Sequence, residues 1–345
     1  MNGVLIIDKP CGLTSHDVVN RARRILGQRS IGHLGTLDPM ATGILPLVTG
    51  SFTRLAQFYL MSEKTYEGTI RFGFSTDTYD AEGEPTSALH SVTPTMDQLQ
   101  TLAAKFRGTI EQTPPPFSAK KIKGVPAYKL ARKQKEVVLK PVQVEIKEFE
   151  ILSVDADRAR FRARVTSGTY MRCVAHDMGQ ALGGGAHLET LRRTSVAEFT
   201  LADAHTLEEV AEAAGKRGVG GEGALARETL ARRDEPNDAL GPVLDESPEG
   251  TPENSPPVPL AGAPTGGTPE PLHELFIHPR RLLPQFPSVT ADEPTAGRIR
   301  SGRTVNLPEL SRARQVKVFS GQRDLIAIAT RVAGTLFHPK IVLCG

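Results

Sequence analysis

Cysteine is scarce. The 345-residue chain has three, Cys11, Cys173 and Cys344, an odd number, placed singly and never in C-x-x-C spacing. That argues against a disulfide framework or a zinc site, and no other metal-ligand spacing stands out. Long apolar runs are also missing: none approaches the ~18–20 residues of a membrane span. The N-terminus, MNGVLIIDKP, lacks the basic start and long apolar stretch of a secretory signal. We therefore expect a cytoplasmic protein with no bound metal and no membrane partner. Gly183-Gly184-Gly185 lacks the G-x-G-x-x-G order of a dinucleotide loop. The Asp-rich stretch GFSTDTYDAEGEP, with Thr76, Asp77, Asp80 and Gly83, lacks the glycine and terminal Glu positions of a calcium loop and reads as a turn. There is no internal repeat.

One segment lacks positive charge altogether. From Asp234 to Pro279 there are nine acids and no Lys or Arg, so the remainder holds 42 bases against 30 acids. A body that basic suits a polyanionic partner or a merely soluble basic surface, and composition alone leaves both open. Gly and Pro make up 14 of the 32 residues from Gly241 to Leu272. With no periodicity and no aromatics, that stretch reads as a disordered linker or insertion.

The length suggests two or three domains. We expect a catalytic domain over 1–215, an acidic Pro/Gly-rich connection over 216–274, and a small β-rich domain over 275–345. In the last, strand-like runs lie at Gln315 to Phe319, Leu325 to Thr330 and Lys340 to Leu343.

The chain is organised around Gly32 to Gly43, GHLGTLDPMATG. Three glycines and a proline leave it no room for a helix. Pro39 pushes Asp38 towards an extended backbone, which presents one carboxylate rigidly among Leu37, Met40 and Ile44. Alone, this is a turn Asp before a Pro. A strand at Gly3 to Asp8 and a helix from Ser15, as N-cap, to Leu26 precede it. Arg21, Arg23, Arg24 and Arg29 make the helix basic on one side, which suits phosphates or plain solvation. A short helix is expected over Thr53 to Leu60. A strand follows at Lys64 to Phe72, with Tyr66, Gly68, Ile70 and Phe72 on one face, then a helix over Thr95 to Phe106. From Gln112 to Ala131 a Pro-rich lead opens a basic segment with Phe117 and Tyr128, suited to RNA backbone and base stacking or to a charged loop. Strands at Val142 to Phe149 and Ala159 to Val165 deliver Ser167-Gly168-Thr169-Tyr170-Met171-Arg172, ahead of a helix over Cys173 to Leu182.

GHLGTLDPMATGILPL, KTYEGTIRFG with TDTYDAEG after it, and SGTYMRCVAHDMGQALGGGAHLETLRRTSV resemble, in this order, the motifs of the TruB-type tRNA pseudouridine synthases. The opening GVLIIDKPCGLTSHDVV looks like that family's Lys-Pro motif. The resemblance covers roughly Asn2 to Phe199; the acidic segment departs from it. It implies an α+β pseudouridine-synthase fold, a central mixed or antiparallel sheet flanked by helices, with a small PUA-like RNA-binding domain at the C-terminus. It implies an isomerase acting on uridine 55 in the T-arm loop of tRNA, without cofactor. By motif, Asp38 is the catalytic aspartate, Tyr66 stacks on the base and is a candidate for proton transfer, and Arg172 pairs with Asp38. Tyr170 packs beside Arg172, His33 wedges into the RNA loop, and Leu191 lines the base pocket. Lys9, Lys64 and Arg193 are further substrate-side residues. A monomer without an obligate protein partner is expected. The alternatives are a non-catalytic tRNA-binding or folding protein on the same scaffold and a guide-RNA-dependent synthase.

The chemistry asks for such groups. Breaking and remaking a glycosidic bond within one nucleotide needs a carboxylate as nucleophile, base or charge stabiliser. A nearby Arg favours its ionised form against burial. Extruding a base costs a few kcal/mol, which stacking on an aromatic ring offsets by about 1–3 kcal/mol.

Overall fold

The computed structural model describes residues 1–115, 139–215, 271–307 and 313–343, with the backbone of 121–122 and 125–126. The expected basic segment beyond residue 115 and most of the acidic connection lie outside the described residues. Ten strands form the larger sheet. They are β1 (Gly3–Lys9), β2 (Ile31–His33), β3 (Thr42–Thr49), β4 (Lys64–Phe72) and β5 (Gly108–Gln112). Then come β6 (Val142–Asp155), β7 (Arg158–Val165), β8 (Ala186–Val196), β9 (Phe199–Thr200) and β10 (Ala204–His205). The order is β10-β1-β3-β8-β4-β7-β6-β5, with β2 beside β3 and β9 beside β8. Only β10–β1 and β3–β8 are parallel among these neighbours, so the sheet is mixed and mainly antiparallel.

Alternation explains its inner face. Ala159, Phe161, Ala163 and Val165 on β7 are buried every second residue, and Tyr66, half-buried Gly68, Ile70 and Phe72 of β4 share a face by the same alternation. Helices α3 (Met96–Phe106) and α4 (Met171–Leu182), numbered after α1 (Ser15–Leu26) and the one-turn α2 (Ala56–Tyr59), cover that face. Each buried Phe or Met there is worth about 1.5–3 kcal/mol. Gly68 has a packing reason: a Cβ would stand 2.4 Å from the Thr190 carbonyl oxygen and 3.0 Å from the Phe161 ring. On the far side α1 packs with β1, β3 and α5 (Leu207–Ala213) in a second core.

The C-terminal sheet has strands β11 (Ser288–Ala291), β12 (Val305–Asn306), β13 (Gln315–Ser320), β14 (Asp324–Ala333) and β15 (Leu336–Val342), in the order β11-β13-β14-β15-β12. It carries α6 (Glu293–Arg300), capped by Asp292. It does not stand apart. Val4, Ile44, Phe52 and Phe199 of the large sheet's side share one apolar cluster with Leu282, Phe319, Leu325 and Ile341. The Ile277 N–H donates to the Val4 carbonyl at 2.8 Å, so the chain re-enters along the edge of the large sheet. Buried polar ties seal the joint: the Tyr59 hydroxyl donates to Glu198 at 2.7 Å, and the Leu283 N–H to the same oxygen at 2.9 Å.

Several expectations shift. Thr14, not Ser15, caps α1, closing a capping box with Asp17; Ser15 is buried and serves the Asp38 loop instead. Residues 53–60 split into a 3₁₀ turn (Gly50–Leu55) and α2. The strand expected to stop at Phe149 runs on to Asp155. Helix α4 begins at Met171, so Arg172 sits in its first turn and Tyr170 is the cap residue. Arg21 is buried, and Arg23 donates to Asn20 and to the Ile31 carbonyl, so the basic side of α1 is partly internal.

Candidate active site

Residues 34–41 join β2 to β3 and carry Asp38. This loop is tied down from behind by cations and a hydroxyl acting on its backbone. The ammonium of Lys9, wholly buried, donates to the carbonyls of Pro10 (2.9 Å), Leu13 (2.7 Å) and Pro39 (3.0 Å). Arg193, also wholly buried, donates to the carbonyls of Gly35, Thr36 and Ile44. The Ser15 hydroxyl accepts the Leu37 N–H at 2.8 Å and donates to its carbonyl. Gly43 ends the loop with φ +95°, where a Cβ would strike the Arg193 carbonyl oxygen. Orphaned buried carbonyls cost free energy, and these ties meet that need while fixing the direction of Asp38.

From the other side α4 brings Arg172. Its Nε lies 2.9 Å from Asp38 Oδ2, and its Nη1 lies 3.2 Å from Asp80 Oδ2 and 3.2 Å from the Thr78 carbonyl oxygen. Asp80 is buried and also accepts the Thr78 hydroxyl at 2.6 Å and the Glu82 N–H at 3.1 Å. One guanidinium thus bridges two carboxylates. Burial pushes the Asp38 carboxyl above the usual range. Arg172 pulls it back, Asp80 pushes further up, and Lys9 pulls down. The expectation that Arg172 offsets burial therefore holds only in part, because Asp80 shares the same cation.

Asp38 opens into a cavity of about 230 Å³, smaller than the ~300–1,000 Å³ of drug-sized sites. Tyr66, Tyr170, Arg172, Leu191, Lys64 and Arg193 line it with Asp38, alongside Thr36 and residues 166–169. Tyr66 and Leu191 come from adjacent strands, where Tyr66 pairs with Arg193 and Gly68 with Leu191. The Gln112 side chain places Tyr170, accepting its N–H at 2.8 Å and donating to its carbonyl at 3.1 Å. The Lys64 ammonium donates to the Ser62 carbonyl at 2.7 Å, and burial beside Arg193 pushes it down to about 8.

Lys9 and Arg193 are wholly buried and donate to backbone carbonyls, among them those of Pro39 and of Gly35 and Thr36 in the Asp38 loop, and Arg193 also borders the cavity. Burial lowers Lys9 to about 8, which leaves it charged at pH 7. His33 is half-buried on β2, outside the cavity lining, and burial together with Arg193 keeps its imidazole below the usual range. Asp80 is the residue that reading the turn as a mere turn missed. The signal was TDTYDAEG, a recurring motif with a carboxylate in it. Gln112 and the second role of Ser15 left no trace in local pattern.

The large sheet with α3 and α4 on one face has the architecture of a pseudouridine synthase. A chain in a solved structure described as an H/ACA RNP bound to a substrate RNA containing 2'-deoxyuridine superposes with a TM-score of 0.62 at 19% identity, covering 99% of this chain and 85% of that one. Residues 23–171 match the TruB family pseudouridylate synthase N-terminal domain, and residues 172–229 the tRNA pseudouridylate synthase B C-terminal domain. A Solibacter usitatus protein named tRNA pseudouridine synthase B is 44% identical over 99% of this chain and 100% of its own length. The protein of that name from Aquifex aeolicus is 46% identical over 61% of this chain and 73% of its own. The chain belongs to the TruB family.

Proposed function

We propose that the chain isomerises uridine 55 in the T-arm loop of tRNA to pseudouridine. The observation that carries this reading is a carboxylate, Asp38, ion-paired to Arg172 and held at the wall of a cavity of about 230 Å³ lined by Tyr66. The relatives named tRNA pseudouridine synthase B supply the RNA class. The target base leaves the RNA stack and lies against Tyr66 and Leu191. Ionised Asp38 drives cleavage of the bond between the ribose carbon and N1. The uracil turns within the cavity and bonds to the same carbon through C5. C5 then loses its proton and N1 gains one, so reactant and product are isomers and no electrons are exchanged. Tyr66 stands over the ring and is our candidate for moving the C5 proton. His33 fills space left by the extruded nucleotide.

The catalytic unit is taken as residues 1–215 and the C-terminal unit as 275–345, which adds basic surface to hold RNA phosphates. No helix among the described residues is long and apolar enough to cross a membrane. We place the protein in the cytoplasm as a monomer.

The test is pseudouridine mapping in an unmodified tRNA transcript. Wild type is expected to convert the T-loop uridine. Asp38→Asn is expected to bind the tRNA and form no product, a loss beyond 10³-fold, consistent with loss of a covalent or charge-stabilising group. Tight binding without product by wild type would move the reading to a tRNA-binding protein or a guide-dependent enzyme.

A further inference from the structure

Tyr79 is the one large aromatic residue among the described residues with a left-handed backbone, φ +66°. Only glycine, and to a lesser extent Asn and Asp, visit that region readily, and for a bulky residue it marks strain. The strain has a visible product. Thr78 and Asp80 flank Tyr79, and the carbonyl of the first and the carboxylate of the second converge on one atom, Arg172 Nη1. In extended chain the backbone carbonyls run sideways while side chains stand roughly perpendicular to them, so an extended residue 79 would aim the Thr78 carbonyl and the Asp80 carboxylate in different directions. The left-handed turn sends both inwards.

Hydrogen bonds within the turn (Tyr79 N–H to the Thr76 carbonyl at 3.3 Å, the Thr76 hydroxyl to the Asp80 carbonyl at 2.7 Å) and from Ala81 N–H to the Leu188 carbonyl at 3.0 Å shape it, and Tyr79 itself adds two contacts with the rest of the fold. The Tyr79 carbonyl accepts the Leu188 N–H at 3.0 Å, which anchors it to β8. Its ring stacks on His176, with centroids 3.9 Å apart and planes 18° apart. His176 lies one helical turn beyond Arg172 on α4, so both point the same way. Burial keeps the His176 imidazole below its usual range, and a neutral ring stacks on Tyr79 without bringing a second cation towards Arg172.

We propose that Tyr79 and His176 are positioning residues: their stack locks the turn that aims Thr78 and Asp80 at Arg172, and through it sets the charge state of Asp38. The inference rests on the synthase reading for its kinetic consequence, but not for its electrostatic one. Strain at a functional site is retained when the surroundings over-determine it, and here the stack is the part that can be removed singly.

The experiment compares Tyr79→Asn, which tolerates the left-handed backbone but cannot stack, with Tyr79→Phe, which keeps the ring, and His176→Ala. The Asp38 carboxyl is titrated by carbon NMR in the free protein. The groups facing it are Arg172 and Cys173 from α4, Asp80 and Glu82 from the turn, and Lys9 from β1. Asp80 keeps its charge in these variants, so its repulsion of Asp38 persists while a slackened Arg172 stabilises the Asp38 anion less, and the midpoint moves to higher pH in Tyr79→Asn and His176→Ala and returns in Tyr79→Phe. In single-turnover assays the same two variants lose about tenfold in rate with tRNA affinity unchanged, the scale of a small misplacement of a catalytic group. An Asp38 midpoint that stays at the wild-type value in Tyr79→Asn overturns the proposal, as does failure of Tyr79→Phe to restore it. Wild-type protein inactive on tRNA would sink the synthase reading and leave the titration to decide this one.

Discussion

Asp38 and Arg172 face each other across 2.9 Å but are fixed by unlike means. The loop carrying the carboxylate is held through its backbone: Lys9, Arg193 and Ser15 satisfy carbonyls and an N–H, and the ties would be the same whatever residue stood at position 38. The guanidinium is held through charge, between Asp38 and a second buried carboxylate, Asp80. The first arrangement sets where the acid is. The second sets how acidic it is, since every charge that steadies Arg172 also acts on Asp38. The two sides should therefore fail in different ways, one in stability and loop order, the other in rate and pH dependence.

The largest expected effect is on the guanidinium side. Arg172→Met leaves Asp80 buried without its cation, and removing one partner of such a pair costs about 3–5 kcal/mol of stability. Product formation should fall by about 10²–10³-fold, the scale of losing one preorganised electrostatic group. The sign of the pH effect is fixed: Arg172 lowers the Asp38 pKa, so its loss moves the acid limb of any residual activity to higher pH. A single-turnover pH profile checks this, and a limb that moves down would break the assignment of Arg172 as the counter-charge of Asp38.

On the carboxylate side, Lys9→Met removes the ammonium from the Pro10 and Leu13 carbonyls and leaves the Pro39 carbonyl with the Gly12 N–H alone. An unmet buried polar group costs about 1–3 kcal/mol, so urea unfolding should show a loss in that range. The acid limb should move up only slightly, because Lys9 ranks below Arg172 and Asp80 among the charges acting on Asp38. An acid limb displaced as far as in Arg172→Met, at undiminished stability, would erase the distinction between the two sides.

The same distinction explains what sequence could and could not reveal. The inward face of β4 and the extent of α3 were legible, because local pattern decides which side of an element meets the core. The loop of Asp38 was legible because Gly35, Pro39 and Gly43 punctuate a stretch that no regular element can absorb, and the family motif, not the punctuation, singled out its carboxylate. Lys9 and Arg193 come from the family resemblance alone; local pattern does not reveal that Lys9 reaches the Pro39 carbonyl 30 residues away, or Arg193 carbonyls 149 or more residues away. Asp80 was hidden for the same reason. A Thr-Asp-Thr-Tyr-Asp stretch is a turn by composition, and only the tertiary arrival of Arg172 from residues far along the chain turns its second Asp into a site residue.

Asp80→Asn is the finest probe of the comparison. The substitution keeps the shape and an oxygen to accept from Thr78 and the Glu82 N–H, so the turn should persist and stability should change little. It removes a negative charge that raises the Asp38 pKa while leaving Arg172 in place. The released guanidinium then serves one carboxylate instead of two. Wild-type activity, carried by ionised Asp38, should fall off on acidification at a pH above the ~3.9 of an ordinary aspartate. In Asp80→Asn that acid limb should shift to lower pH, opposite to Arg172→Met. The rate at neutral pH should still decline, because Nη1 has lost the ionic half of its hold and Arg172 is less well aimed. A lower limb with a lower plateau would separate the two duties of Asp80, steadying the cation and raising the acid. A limb that moves up would mean that alignment of Arg172 outweighs the direct repulsion between the two carboxylates.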